Sequence, residues 1–475
     1  MAQPTYEQLA AENRRLRLEN QRLARRVAEL EALLGAQRTQ IQRLTAQVQE
    51  ALRATKRQAA PFSKGPPKDP PKTPGRKSGP DYGTPPAHRP APRQPPDETH
   101  PAPLPPQCPA CGGSLVEDRQ DQQYQVEIPR RPIVRRFDIH IGHCTRCGRR
   151  VQGRHPLQTS DALGAAKSQI GPDGQAAIVD LNKRAGLSHG KIADYLHALY
   201  HIALSRGGVC QIILRVARRG ARLYQALRAS VRHARWIVPD ETGWRIGGKL
   251  AWLHGFVTPA ATVYHIDRRR GYEAAEPIIG AEYAGGLVHD GWAPYDRFFF
   301  GLHQQCCNHL LQRCKALLSV AVRGAAVFPR QVQRLLWDAL ALRDRRDAGE
   351  VSPHGLAVAI GRLTGRLDRM LAWTKTHPDN ERLAKHLDQH RHQVFTFLTT
   401  PGLDATNWRA EQALRAGVVN RKVWGGNRTD AGAYAQAVLM TLLWTARQQR
   451  RDTLALLSNL LRGRQPRLAL LPAGP

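Results

Sequence analysis

The chain has 475 residues, of which 71 are Lys or Arg and 39 are Asp or Glu, so its formal net charge is +32. This length suggests two or three folded units with connectors. The positive charge favours binding to a polyanion such as nucleic acid, although an Arg-rich composition also accompanies a GC-rich genome. No run of about 18 apolar residues and no signal-peptide pattern is present. We therefore expect no membrane contact and a cytoplasmic, nucleoid-associated protein.

The first segment, residues 1–60, has the pattern of a coiled coil. Residues 5–57 contain no Pro and a single Gly, and apolar residues recur in heptads. Leu occupies most d positions, at Leu9, Leu16, Leu23, Leu30 and Leu44. Asn and β-branched or apolar residues occupy the a positions, at Asn13, Asn20, Val27, Leu34 and Ile41. This pattern predicts a leucine-zipper-like helix and a homo-oligomer, most simply a dimer. The alternative is an amphipathic helix that packs on its own domain.

Residues 61–106 are dominated by Pro, Lys, Arg and Gly. Such a composition cannot bury a core, so we expect a disordered basic linker. The linker either follows DNA phosphates or serves only as a spacer.

Residues 107–152 contain two C-x2-C pairs, Cys108 with Cys111 and Cys144 with Cys147. A Gly follows each pair and permits the tight turn that directs two thiolates at one ion. The β-prone residues between the pairs predict short strands. Because disulfides are rare in a reducing compartment, the pattern predicts a zinc ribbon in which four Cys bind a structural Zn²⁺ ion.

Residues 153–232 have a helical pattern that resembles a helix-turn-helix. We expect a helix that ends near Arg184, a turn at Gly186, a second helix from Ser188 and a further turn at Ser205–Gly208. Short Gly-containing turns between helices are typical of a reader of the DNA major groove. A helical bundle without a DNA role has the same pattern.

Three later segments each present one carboxylate. Apolar, β-prone residues precede Asp240 and Asp290, which places both at strand ends, before Gly-containing turns. Glu411 lies in a helical stretch in which Trp408, Glu411 and Arg415 share one face. Any one of these acids alone would be interpreted as a turn or cap residue. Together they have the composition of a site that holds two Mg²⁺ (or Mn²⁺) ions for an in-line attack on phosphate.

The surrounding sequence resembles the Asp-Asp-Glu transposases of insertion sequence family 66. The resemblance rests on DETGWRIGGKLAWLHGFVT from Asp240, HDGWAPY around Asp290, HQQCCNHLLQRC from His303, and TNWRAEQALRAGVVNRKVWGGNRTDAGA around Glu411. It implies an α/β RNase H-like (retroviral integrase-like) catalytic core in two parts, residues 233–323 and 401–450. A helical insertion, residues 324–400, separates the parts, and residues 451–475 form a tail.

The local patterns predict the same start of a core. Three strands are expected at Arg235–Asp240, Lys249–Val257 and Thr262–Asp267, with a turn at Gly247–Gly248. A helix around Glu273–Ile279 and a fourth strand that ends at Asp290 follow.

The resemblance also implies an activity and its partners. The activity is metal-dependent DNA strand cleavage and strand transfer by two-metal phosphoryl transfer, with Asp240 bridging the ions. The partners are the element ends, target DNA and possible accessory proteins of the element. Cys306 and His309 form a C-x2-H pair with a possible accessory role. After Glu411, candidate DNA contacts combine cations with an aromatic residue; they are Arg421, Lys422, Trp424 and Arg428.

Three alternatives remain open at this point. Glu381 is a rival third acid, although it lies in a run with ordinary i,i+4 charge pairing. The chain could be a catalytically silent, transposase-derived DNA-binding protein, which Mg²⁺-dependent cleavage would exclude. It could also be a repair nuclease, which would cut DNA without joining ends.

Overall fold

A computed structural model describes residues 6–55, 92, 94–126, 128–129, 131–158, 169–321, 323–463 and 468. The chain divides into two compact units, Met1–Val126 and Glu127–Pro475. Most of the predicted linker, residues 61–106, lies outside the described residues.

The first unit contains one long helix, α1, over Tyr6–Thr55. The predicted helix is thus present over Tyr6–Thr55, and the rest of residues 1–60 lies outside the described residues. From Leu16 to Leu44 its apolar heptad residues are exposed on the single chain, with Leu23 at 57 % and Ile41 at 63 %. Oligomerisation through this helix stays a prediction.

Each unit contains one of the two Cys pairs, and the two pairs form turns with the same pattern of hydrogen bonds. The amide N–H groups of Cys108 and Gly112 bond the carbonyls of Gly113 and Cys108, at 2.9 and 2.8 Å. The second pair repeats this pattern from Cys144, and its turn joins two antiparallel strands, β1 (Ile141–His143) and β2 (Arg150–Gln152). The prediction of strands between the pairs was largely wrong, because β1 is the one strand among the described residues there.

The second unit is built on a five-stranded mixed sheet. Its strands are β3 (Trp236–Ile246), β4 (Lys249–Val257), β5 (Thr262–Asp267), β6 (Gly286–His289) and β7 (Leu302–Gln305). Their order across the sheet is β5-β4-β3-β6-β7. The first three strands are antiparallel, whereas β6 and β7 run parallel to β3. This arrangement is compatible with an RNase H-like core.

The hairpin between β3 and β4 follows from its turn residues. Gly247 and Gly248 both have positive φ, 59° and 79°, so a two-residue turn pairs Ile246 with Lys249. Pairing with β4 continues along all of β3, which therefore runs to Ile246. The predicted end of this strand at Asp240 was wrong, since Asp240 lies near its middle.

The helices before the sheet agree with the sequence pattern. They are α2 (Pro172–Lys183), α3 (His189–Tyr200) and α4 (Arg206–Ser230). Gly186 has a φ of 77°, and the Ser188 hydroxyl caps α3. The turn predicted at Ser205–Gly208 lies slightly earlier, because Ser205 caps α4 and the glycines after it belong to the helix.

Period-two alternation along the strands separates two cores. Ile237 and Leu287 face a core formed with α4 and two C-terminal helices, α12 (Asp430–Gln448) and α13 (Thr453–Leu461). Their neighbours Val238 and Val288 face the opposite side. The segment interpreted as a tail thus contains α13, which packs into the first core through buried leucines.

On the second face lies α11 (Trp408–Trp424), in contact with β3 and β4. A third core lies among the helices that follow β7. The helix after β5 is α5 (Tyr272–Ile279), and β7 is followed by α6 (Cys307–Val320). The predicted insertion, residues 324–400, contains α7 (Val327–Asp347), α8 (Pro353–Leu371), α9 (Pro378–Gln389) and α10 (Thr396–Thr399). In the part of the chain that the structure describes, no helix is long and apolar enough to cross a membrane.

Candidate active site

Asp240 lies where the parallel and antiparallel parts of the sheet meet. Pairing of β3 with β6 covers Trp236 and Ile237, while Asp240 pairs with Gly255 of β4. Its side chain shares a face with Val238, two residues earlier, and that face is covered by α11. A Cβ atom at Gly255 would lie 3.2 Å from Leu414 of α11, so glycine at this position permits the helix to approach closely.

Asp290 follows the last residue of β6, as expected. Because β6 runs parallel to β3 beside it, both acids come to the same part of the sheet. One carboxylate oxygen of Asp290 (Oδ1) accepts a hydrogen bond from the Trp292 amide at 3.0 Å. The loop turns at Gly291, whose φ is 87°.

Glu411 occupies the first turn of α11. The helix packs closely on the sheet, since a Cβ atom at Gly417 would meet Leu253 of β4 at 2.3 Å. Glu411 is 40 % exposed, and its Oε1 lies 3.7 Å from Nε2 of His309 on α6. The third acid is thus brought to the sheet by a helix that lies far along the chain.

The charges of Asp290 and Glu411 both act on Asp240. The pKa of Asp240 is raised to about 8, first by burial, then by the charges of Glu241 and Asp290, with a smaller effect from Glu411. A hydrogen bond from the Glu241 amide to Oδ1 of Asp240, 2.9 Å long, opposes this shift. Asp290 and Glu411 thus lie near enough to Asp240 for their charges to act on it, and carboxylate oxygens are the hard donors that Mg²⁺ and Mn²⁺ prefer.

Glu241 is a fourth carboxylate that sequence reasoning missed. It points to the opposite face from Asp240, where its side chain is 3 % exposed. Arg270 and the hydroxyl of Tyr295 each donate a hydrogen bond to it, both at 2.9 Å. Arg270 in turn lies over the Trp292 ring, 3.9 Å from its centroid. Burial raises the pKa of Glu241, and these partners oppose that shift, so the carboxylate is held as an ion pair.

The hydrogen bond from Tyr295 to Glu241 also joins the two Asp segments. Tyr295 belongs to the single turn Ala293–Arg297 that follows Asp290, whereas Glu241 follows Asp240 directly on β3. Glu241 could have been found from the sequence, because an Asp-Glu dipeptide within a strand places its two carboxylates on opposite faces of the sheet.

The C-x2-H pair contacts the start of α11. Cys306 immediately precedes α6, and its sulfur accepts a hydrogen bond from the Asn407 amide at 3.4 Å. Burial raises the pKa of the Cys306 thiol, so the sulfur stays protonated. His309 lies beside Glu411, as described above. Both residues therefore border the third acid, consistent with the predicted accessory position.

His289, directly before Asp290, is part of a hydrogen-bonded pair of imidazoles. Its Nδ1 accepts from the Gly291 amide at 3.2 Å, and its Nε2 lies 2.9 Å from Nδ1 of His303. Nε2 of His303 lies 2.9 Å from the Phe298 carbonyl. Together with Asp296, these form the one group of three possible metal ligands found among the described residues. Because each ring nitrogen already has a hydrogen-bond partner, we interpret the pair as support for the Asp290 loop.

The candidate DNA contacts after Glu411 divide into two kinds. Trp424 packs edge-on against Trp244, with centroids 5.8 Å apart, and Arg421 donates a hydrogen bond to the Gly243 carbonyl. These two residues thus support the fold, and Trp424 packs, partly buried, against the core instead of facing outward. Lys422 and Arg428 are exposed, and their contact with DNA stays a prediction.

The rival acid Glu381 has ordinary partners. It lies in the first turn of α9, accepts a hydrogen bond from the Lys375 amide at 3.0 Å, and lies 3.7 Å from the Lys385 ammonium group. Glu381 is also absent from the charges that raise the pKa of Asp240. Its position favours Glu411 as the third acid of the site.

The mixed sheet, the helices around it and the three carboxylates are compatible with an RNase H-like enzyme core. A family model described as "Transposase IS66 family" matches residues 167–435, more than half of the chain. The chain therefore belongs to the IS66 transposase family. No curated protein matches it. Membership of this family implies DNA as a partner and, in general terms, a nuclease or transferase activity.

Proposed function

We propose that this chain is a DNA transposase with an RNase H-like core that cuts and joins DNA strands at Asp240, Asp290 and Glu411. The observation that carries the proposal is that Asp290 and Glu411, from two separate segments, lie near enough to the buried Asp240 for their charges to contribute, after burial and Glu241, to its raised pKa of about 8. Turn or cap residues at unrelated places in the fold would not act on Asp240 in this way.

Each acid has a distinct setting for this chemistry. Asp240 is held by the Glu241 amide and Asp290 by the Trp292 amide, both through Oδ1, so that each retains a second oxygen for an ion. Glu411 is more exposed and would complete the set. Bound Mg²⁺ would activate the attacking hydroxyl and neutralise charge on the leaving oxygen. No covalent bond between protein and DNA is needed.

The Tyr295–Glu241 hydrogen bond should hold the two Asp segments in register. We expect Tyr295→Phe to lower the rate of DNA cleavage by about 10- to 100-fold, as for outer-shell groups of metal sites. DNA affinity should change little, because Tyr295 is buried and its ring stays in place. Cleavage rates and DNA affinity of the purified variant check this.

A matched control is Tyr283→Phe, which removes a buried hydroxyl whose hydrogen is shared between the carbonyls of Ala234, at 2.9 Å, and Gly286, at 3.3 Å, and which bonds none of the acids. Each variant loses one buried hydroxyl donor, so losses of thermal stability of the same order are expected. If Tyr283→Phe reduced cleavage as much as Tyr295→Phe, the positioning role would be refuted.

We also propose a zinc ribbon in which the thiolates of the C-x2-C pairs bind structural Zn²⁺. Hydrogen bonds from the backbone of Ala110 and Cys111 lower the pKa of Cys108, and those of Cys147 and Arg146 lower the pKa of Cys144. Both shifts favour the thiolate form that zinc needs.

Replacing Cys108 and Cys144 with Ser should remove about one Zn²⁺ per chain. Elemental analysis of the purified full chain measures this loss. Cys210→Ser, at a half-buried Cys outside the pairs, serves as the control and should keep the metal. Equal zinc content in all three proteins would contradict a ribbon.

DNA reading is proposed for α2 and α3, with α3 as the recognition helix. Lys191 and Tyr195 lie on its exposed side, whereas Ile192 and Leu196 are buried. If Lys191→Ala and Tyr195→Ala bound element ends and unrelated DNA as the wild type does, this role would be excluded.

Assembly is proposed through α1, because its apolar heptad residues are exposed on one chain. Replacing Leu16, Leu23 and Leu30 with Ser should shift the full chain to monomer in sedimentation experiments. An unchanged sedimentation coefficient would contradict this. A cytoplasmic, nucleoid-associated location follows from the proposed DNA partner.

The test of the function is Mg²⁺-dependent cleavage and strand transfer on DNA that carries the ends flanking this gene. We expect free 3′ ends and their joining to target DNA. Cleavage without joining would favour a repair nuclease. Binding without cleavage, also in the presence of accessory proteins of the element, would favour the second candidate, a silent transposase-derived DNA-binding protein.

A further inference from the structure

One face of α11 carries an exposed aromatic residue beside the third acid. Trp408, Glu411 and Arg415 follow one another at helical spacing and lie on one side of the helix. Trp408, the first residue of α11, is 49 % exposed despite its large apolar side chain. Arg415 is exposed as well. Glu411 lies between them.

The other Trp of this helix is not available to an outside partner. Trp424 packs against Trp244, and Lys183 lies over its ring at 5.5 Å. Trp408, at the opposite end of α11, is therefore a better candidate than Trp424 for stacking on a base.

The indole of Trp408 is held from one direction by a fixed cation. The Arg409 guanidinium lies 5.1 Å from the Trp408 centroid and 5.5 Å from that of Trp236. Arg409 is itself paired with Asp404 at 2.5 Å. A cation over the ring stabilises its orientation while much of the indole surface stays exposed.

We propose that Trp408 stacks an unpaired DNA base next to the phosphate that is cut at Glu411; this inference rests on the proposed function. Every base has a π face, and stacking on an aromatic side chain contributes strongly to the binding of unpaired strands. Bases inside a duplex are already stacked, so the occupant is a base displaced from its neighbours at the strand end. Arg415, on the same face, offers a positive charge to the adjoining phosphate.

Among the described residues, two other exposed Trp side chains provide a comparison. Trp337 and Trp373 are 56 % and 77 % exposed, and both belong to the helical insertion. Neither shares a helix face with one of the three acids. Exposure alone therefore does not distinguish Trp408, whereas its position beside Glu411 does.

The experiment is a double-mutant cycle between the protein and the DNA. Wild type, Trp408→Ala and Trp408→Phe are compared on intact element-end DNA and on DNAs with one abasic nucleotide at each position around the cut. Affinity is measured without divalent metal, and cleavage rate with Mg²⁺. Trp373→Ala is the matched control, and thermal unfolding verifies that each variant is folded.

We expect Trp408→Ala to weaken binding or cleavage of intact DNA by roughly 5- to 150-fold. At one abasic position, the affinity or cleavage rate of the wild type should fall by a similar factor relative to intact DNA. For Trp408→Ala the same abasic position should cause no further fall. Trp408→Phe should retain most of the activity, and Trp373→Ala all of it. Equal losses for Trp408→Ala on intact and on every abasic DNA would overturn the inference and favour a protein contact at this residue.

The outcomes also separate this inference from the proposed function. Coupling in the binding data without cleavage by any protein would support stacking and contradict the transposase. Cleavage and joining by Trp408→Ala at the wild-type rate, together with wild-type affinity for every DNA, would support the transposase and exclude stacking by Trp408.

Discussion

Asp240→Asn leaves DNA bound but uncut: this is the largest effect that we expect. The substitution keeps the size of the side chain. It removes the negatively charged oxygen that Asp240 would offer to the metal ions. Loss of one such ligand should reduce cleavage and strand transfer by on the order of 10³-fold or more. DNA affinity without metal should be unchanged at neutral pH, because the Asp240 carboxyl group is already protonated there and Asn replaces one neutral side chain with another.

The matched control is Glu381→Gln, which changes the rival acid in the same way. It should cleave at the wild-type rate, because Glu381 pairs with Lys375 and Lys385 instead of the three acids. Asp290→Asn and Glu411→Gln should resemble Asp240→Asn. Full activity in any of these three variants would remove that residue from the site.

Metal binding should release a proton from Asp240. Its ordinary pKa is 3.8 and its pKa in the folded, metal-free protein is about 8, so the folded protein retains the proton at neutral pH. A divalent ion must displace that proton. The affinity for Mg²⁺ or Mn²⁺ should therefore fall by about tenfold for each pH unit below about 8 and level off above it.

The same shift determines stability without metal. Because the folded pKa lies above the unfolded one, stability from the protonated group is complete below about pH 4 and is lost as the pH rises through about 8. Asp240→Asn should flatten the dependence of stability on pH, and Glu381→Gln should not.

The proton released on metal binding is measured by calorimetric titration with Mg²⁺ or Mn²⁺ in buffers of different ionisation enthalpy. An affinity that does not depend on pH would contradict a protonated Asp240.

Local patterns predicted most of the elements around the site. The Gly247–Gly248 turn and the alternation after it placed β4 and β5 at the residues where they occur. Gly186 and the Ser188 cap placed the break between α2 and α3. These features depend on a few neighbouring residues, since turn conformation and capping are properties of short segments.

Features that depend on partners distant in sequence could not be predicted in this way. Asp240 lies within β3 instead of at its end because β4 continues to pair with the strand as far as Ile246. The short strand β7 lacks a strong pattern and exists because its neighbour β6 supplies a pairing edge. Likewise, α13 is a core helix because its leucines pack against α2 and α4.

The sequence by itself determined the three candidate acids, the Cys pairs and the order of most strands and helices, because motifs and periodicity are local. Only the tertiary structure decided how the acids meet. The parallel pairing of β6 with β3, together with the close packing of α11 at Gly255 and Gly417, brings charges from three separate segments near one another. It also placed Trp424 against the core and Trp408 outside, since the side of a helix that is buried depends on what packs against it.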